Sequence, residues 1–139
     1  MTFEMAASET SSDARRGSSR RLPGDPPYIY EAHVFCCINE RPDGHLRGCC
    51  AGKGARQLCD YMCRRAMALG LTQGTCRIRI NHAGCLNLCE FGPVMIVYPE
   101  GVAYSYRSDE DIEEILRKHL ILGRRVEHLV LRIDPGKLH

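Results

Sequence analysis

Ala83-Gly84-Cys85-Leu86-Asn87-Leu88-Cys89-Glu90-Phe91-Gly92-Pro93 places two thiols, with three residues between them, in a stretch bounded by glycine at one end and Gly-Pro at the other. Turn residues of this kind make a loop, not a continuous helix or strand. Working outward, His33-Val34-Phe35-Cys36-Cys37-Ile38-Asn39 is apolar, β-branched and aromatic, and leads into a loop that ends Arg47-Gly48-Cys49-Cys50-Ala51-Gly52-Lys53-Gly54. Cys37, Cys50, Cys85 and Cys89 thus each stand beside glycine or a strand end. Four such thiolates are what a 2Fe-2S cluster requires, converging on two irons. Nearby glycines let the backbone pass close to the sulfides and aim N–H groups at them, which helps set the reduction potential.

Other chemistries fit less well. Zinc also accepts four thiolates, but its usual knuckle is Cys-x2-Cys, which the chain lacks. A Rieske centre needs two histidines paired with cysteines, whereas no Cys-x-His occurs, and His33 and His82 precede their neighbouring cysteines. A thioredoxin-type oxidoreductase would open its first helix with Cys-x-x-Cys, where this chain has Gly52-Lys53-Gly54. That triplet is not a P-loop either, because Gly-x4-Gly-Lys-Ser/Thr is absent. It suits a tight turn at a helix start, with exposed N–H groups facing an anion. A cluster of two ferric ions, two sulfides and four thiolates carries about −2, and about −3 after one-electron reduction. Arg47 and Lys53 are close enough in sequence to help balance that charge.

The chain resembles the thioredoxin-like 2Fe-2S ferredoxins, relatives of the cluster-bearing small subunit of respiratory NADH dehydrogenase. The resemblance spans roughly residues 31 to 133. It rests on a first cysteine after a His-hydrophobic-Phe strand, a second after twelve intervening residues, and the distal Gly-Cys-Leu-x-x-Cys-Glu-x-Gly-Pro. Val94 to Tyr104 is also similar to the family's terminal hairpin. The resemblance implies a thioredoxin-like α/β fold and a single 2Fe-2S cluster per chain held by Cys37, Cys50, Cys85 and Cys89. It also implies an electron carrier without substrate chemistry of its own, redox partner proteins, and relatives that can be homodimers. An iron-sulfur sensor or assembly protein, in which cluster loss is the signal, is the rival reading. Cys36 and Cys49 double the implied ligands, and Ala51 stands where the family often has glycine.

The rest of the chain fits one soluble domain. At 139 residues, 44% hydrophobic and 26% charged, it is long enough for a core without staples. Its apolar runs fall far short of a membrane span, and the N-terminus, with Glu4 and Glu9, lacks a secretory signal's apolar region. Nine cysteines cannot all pair within the chain, so a reducing compartment, the cytoplasm, is expected. A net charge of +2 and pI near 8.1 are too mild to imply nucleic acid.

Residues 1–27, rich in Ser, Arg, Gly, Pro and acidic groups, are expected to be a disordered extension, with residues 28–139 forming the thioredoxin-like domain. A strand is expected over Ala32 to Ile38, then a polar loop from Asn39 to Gly52 with Pro42, Asp43 and Gly44 as turn residues. Ala55 to Leu69 has Leu58, Met62, Ala66 and Leu69 at helical spacing, with Gly70 as the stop. Cys76 to Ile80 alternates and predicts a second strand. Met95 to Tyr98 and Val102 to Tyr106 flank Pro99-Glu100-Gly101 as a hairpin. Ser108 with Asp111 forms a capping-box pattern ahead of a helix whose buried face is Ile112, Ile115, Leu116, His119 and Leu120, ending at Gly123. Four strands and two helices in this order predict a mixed sheet with flanking helices. Cys59, Cys63 and Cys76 are expected to be core hydrophobes, and His82 is expected to face solvent.

Overall fold

The computed structural model describes residues 20–40, 49–75, 77–134 and 136. Strand β1 (Ala32–Cys37) is the second strand of a four-stranded sheet of order β2-β1-β3-β4. It pairs in parallel with β2 (Ile78–Ala83) and antiparallel with β3 (Val94–Tyr98), which forms a hairpin with β4 (Val102–Ser105). Alternation along β1 explains its place. Ala32, Val34 and Cys36 are buried in the main core, and His33 and Phe35 are half-buried on the opposite face.

Helix α1 (Ala55–Ala68) begins after a short 3-10 turn, Ala51–Lys53. Gly54, with φ of 86°, makes the left-handed step between them, a conformation that an L side chain would strain. The inward face of α1 is Ala55, Cys59, Met62 and Ala66, all fully buried. This differs from the expected Leu58-Met62-Ala66-Leu69 stripe: Leu58 only packs against the core's edge and Leu69 is 42% exposed. Met62 is the one large side chain on that face, among the smaller Ala55, Cys59 and Ala66, and the two leucines fall to its margins.

The second strand runs Ile78–Ala83, starting later and ending three residues beyond the expected Cys76 to Ile80. Its limits follow from the partner: Ala32 stands opposite Ile78 and Cys37 opposite Ala83. His33 Nε2 and Asn81 Oδ1 are 2.8 Å apart and pair two polar residues on the outer face. Cys76 lies outside the described residues, as do residues 41–48 of the expected polar loop.

Helix α2 covers Asp109–Glu114 and continues as a wider π-type helix over Ile115–Ile121, ending before Gly123 at φ 71°. Ser108 Oγ accepts the Asp111 N–H at 3.2 Å, an N-cap of the kind that contributes about 1 kcal/mol. The reciprocal half of the capping box differs: Asp111 Oδ2 accepts from Arg107 N, at 2.9 Å. Ile112, Ile115, Leu116 and His119 are buried in the same core as α1, so both helices cover one face of the sheet. His119 is held at both ring nitrogens. Tyr104 Oη, which accepts the Val126 N–H at 3.2 Å, lies 2.6 Å from His119 Nδ1, and His119 Nε2 lies 2.9 Å from Glu100 Oε2.

Beyond the expected elements, Val126 is fully buried and Leu131 N donates to Ala103 O at 2.8 Å, so the C-terminal run covers the outer edge of β4. Residues 1–19 lie outside the described residues. Of the remaining stretch, Leu22 to Asp25 make a tight, exposed turn. No helix among the described residues is long and apolar enough to cross a membrane.

Candidate metal centre

Where β1 ends, the chain brings three segments together. Cys37 closes the strand, and Ile38 N still reaches Ala83 O at 2.9 Å, so the strand end is fixed beside the start of the 84–93 loop. Cys50 opens the 3-10 turn, with its carbonyl accepting from Lys53 N at 3.0 Å and Ala55 N at 3.1 Å. Cys37, Cys50 and Ala55 form a small buried cluster of their own, flanked by Ile38 and Leu86. Cys36, one residue earlier, belongs to the main core.

In the 84–93 loop, Cys85 Sγ and Cys89 Sγ are 3.4 Å apart. Cys85 is exposed and Cys89 only 1% exposed. Asn87 has φ of 64°, a left-handed conformation that asparagine tolerates better than most side chains, and its N–H donates to Cys85 Sγ at 3.2 Å. Cys89 starts a second 3-10 turn, Cys89–Phe91, which Ser105 Oγ holds through Phe91 O at 2.7 Å. The Gly92–Pro93 peptide is cis, and Tyr106 N donates to Pro93 O at 3.1 Å.

Gly92 joins the two halves. A Cβ on it would stand 2.6 Å from Cys50 Sγ, closer than real Cβ atoms approach, so only glycine lets this backbone lie on the sulfur. The Cys37 thiol beside it and then burial push the Cys50 thiol far above its ordinary range, with the Val94 N–H acting the other way and Cys89 adding to the rise. Closely packed, desolvated thiols do not ionise alone; cationic iron is what favours their thiolates.

The donor set is sulfur. Each histidine among the described residues has its ring engaged elsewhere: His33 with Asn81, His82 with Asp60, His119 with Tyr104 and Glu100, His128 with Glu114. His82 is exposed, as expected. Among the described residues no three Cys, His, Asp or Glu side chains gather tightly enough for a single metal ion. The thiols stand as couples, Cys37 with Cys50 in one buried cluster and Cys85 with Cys89 in the loop.

No family model matches the chain. A 2Fe-2S ferredoxin from Aquifex aeolicus (strain VF5) is 41% identical over 108 residues, covering 76% of this chain and 91% of its own length. One from Clostridium pasteurianum is 31% identical over 97 residues, covering 70% and 92%. The chain belongs to the thioredoxin-like 2Fe-2S ferredoxins. The crystal structure of the wild-type thioredoxin-like 2Fe-2S ferredoxin from Aquifex aeolicus matches with a TM-score of 0.68 at 38% identity, covering 75% of this chain and 99% of that one. A second structure of that ferredoxin gives 0.68 at 37% identity, covering 78% and 99%.

Within this ferredoxin fold, the remaining cysteines part company with the four at the strand end. Cys49 is half-exposed and its Sγ accepts the Gly52 N–H at 3.3 Å. Cys59 is fully buried in the main core and Cys63 packs against it, as expected of core hydrophobes. Two further features of the centre were not evident as such in the sequence. Asn87 carries no glycine-like signal for its left-handed turn, and Lys53, noted only for charge, reaches across to the Cys89 carbonyl at 2.9 Å.

Proposed function

We propose that the chain is a soluble one-electron carrier that binds a single 2Fe-2S cluster through Cys37, Cys50, Cys85 and Cys89, with no bond chemistry on a substrate. When bound, such a cluster accepts one electron, one of its two ferric ions becoming ferrous. The chain's own part is to hold the thiols, shield them and supply amide donors. The observation that carries this is the pairing of thiols in two couples joined at Gly92, because a two-iron cluster takes two thiolates at each iron and a lone tetrahedral ion takes four at one point. The donors from Asn87 and Val94 are the kind that tune an iron-sulfur potential.

Residues 28–139 form the cluster-bearing domain in this reading, and residues 1–27 an extension to it. Cys85, exposed at the rim, marks the side on which redox partner proteins dock weakly and transiently. A reducing compartment such as the cytoplasm suits so many cysteines.

The test is the visible spectrum and metal content of anaerobically purified protein. Two irons and two acid-labile sulfides per chain are expected, with a rhombic electron paramagnetic resonance signal only after one-electron reduction. Stoichiometric zinc, or a cubane signal, would overturn the proposal.

A further inference from the structure

Lys53 is not one of the four thiols, yet it spans their two halves. It ends the 3-10 turn that Cys50 opens, and its N–H donates to the Cys50 carbonyl at 3.0 Å. Its ammonium crosses to the other half and donates to the Cys89 carbonyl at 2.9 Å, a part-buried bond between residues 36 apart in sequence. The left-handed step at Gly54 follows immediately, so the turn ends as the side chain leaves it. Gly92, packed on Cys50 Sγ, makes a second junction between the Cys50 turn and the 84–93 loop. Of these two junctions, Lys53 is the charged one.

The acceptor is a carbonyl, which has no net charge, so this bond leaves the ammonium's full positive charge beside Cys89. Reduction takes the bound cluster from about −2 to about −3. A cation fixed at that position lowers the energy of the more negative state by more than that of the less negative one, and because Lys53 is itself exposed the effect is largest at low ionic strength.

We propose that Lys53 is a positioning residue that raises the reduction potential of the cluster and clamps the Cys89 turn against the Cys50 turn. This rests on the carrier reading above. The electron comes from the redox partner, or from the electrode in the test, and no proton need move.

The test uses the full-length holoprotein and three variants, Lys53→Arg, Lys53→Gln and Lys53→Met, in protein-film voltammetry at low ionic strength, with iron, sulfide and thermal melting measured on each. Arginine keeps charge and donor, glutamine keeps only a donor, and methionine keeps neither. The midpoint potential is expected to shift to more negative values in Lys53→Gln and Lys53→Met and to stay near the wild-type value in Lys53→Arg. Melting and cluster content should fall in Lys53→Met and be largely kept in Lys53→Gln, which separates charge from clamping. If Lys53→Met fails to load, the glutamine and arginine variants decide the electrostatic part. An unmoved midpoint in Lys53→Gln with an intact spectrum would overturn the role of Lys53 alone. A wild-type protein without the 2Fe-2S spectrum would overturn the carrier reading, and this inference with it.

Discussion

Two groups of cysteines lie on either side of one peptide bond. Cys37 joins Cys50 at the strand end, where Cys89 and Cys85 approach from the distal loop. Cys36 points the other way, into the main core with Cys59, and Cys63 packs at that core's margin. Both groups are rich in thiols, and most members of each are buried. Their settings differ. The first is bounded by turns, a backbone glycine and N–H donors aimed at sulfur, whereas the second is surrounded by Val34, Met62, Met95 and the aromatic ring of Tyr106. In that core, hydrogen bonding to Cys36 raises the Cys59 thiol most, Cys63 opposes it and burial adds to it. Cys63 is pushed up by Cys59 and then by burial. Cys50 is raised in the same way, so what separates the two groups is their packing, apolar side chains around one and turn backbone around the other. A cysteine's chemistry is therefore set by what surrounds it, since identical side chains one residue apart have opposite settings.

The largest effect that could break this comparison is loss of the cluster. Alanine at Cys37, Cys50, Cys85 or Cys89 is expected to abolish or severely deplete it, while Cys36→Ala keeps it, judged by visible absorbance and iron per chain. Depletion in Cys36→Ala with a normal spectrum in Cys37→Ala would reverse the assignment within the doublet. An altered spectrum at low occupancy in Cys37→Ala or Cys50→Ala would instead reveal replacement by the neighbouring thiol.

A smaller effect separates packing from ligation. Cys36→Ala and Cys59→Ala each leave a void in a core where both residues are 0% exposed, and are expected to cost about 1–2 kcal/mol in denaturant unfolding without a spectral change. Stability equal to wild type in both would mean that this cluster is not tightly packed.

Smallest of all is Cys49→Ala. Its sulfur accepts a weak bond from Gly52 N and is half-exposed, so stability should change by no more than about 0.5 kcal/mol and the spectrum should persist. Cluster loss in this variant would move Cys49 into the site.

Much of this was legible in the sequence, because turns and alternation are local. Gly84 and Gly92-Pro93 bracketed the distal loop, the strand through Cys37 stood out as an apolar run, and the order of strands and helices predicted the mixed sheet seen here. What was hidden depends on partners distant in sequence. The inward face of α1 was masked because Leu58 and Leu69 are stronger apolar signals in the sequence than Ala55 and Cys59, which are the ones fully buried. The limits of β2 are set by β1, and its Asn81 is balanced by His33 across the sheet. Lys53 reads as a surface charge until the Cys89 carbonyl is brought to it.

In the ligand set proposed above, the ladder around β1 has a consequence for which sulfur meets the metal. Iron cannot distinguish Cys36 from Cys37, since both offer the same thiolate. The distinction is made by hydrogen bonds that fix Cys36 opposite Met95 and Cys37 opposite Ala83. A slip of one residue would present the wrong thiol, but it would also turn Ala32 and Val34 outward and drive His33 and Phe35 into the core. The sheet thus proofreads the metal site: a misframed strand is rejected by the cost of its own misplaced neighbours before a metal need be involved.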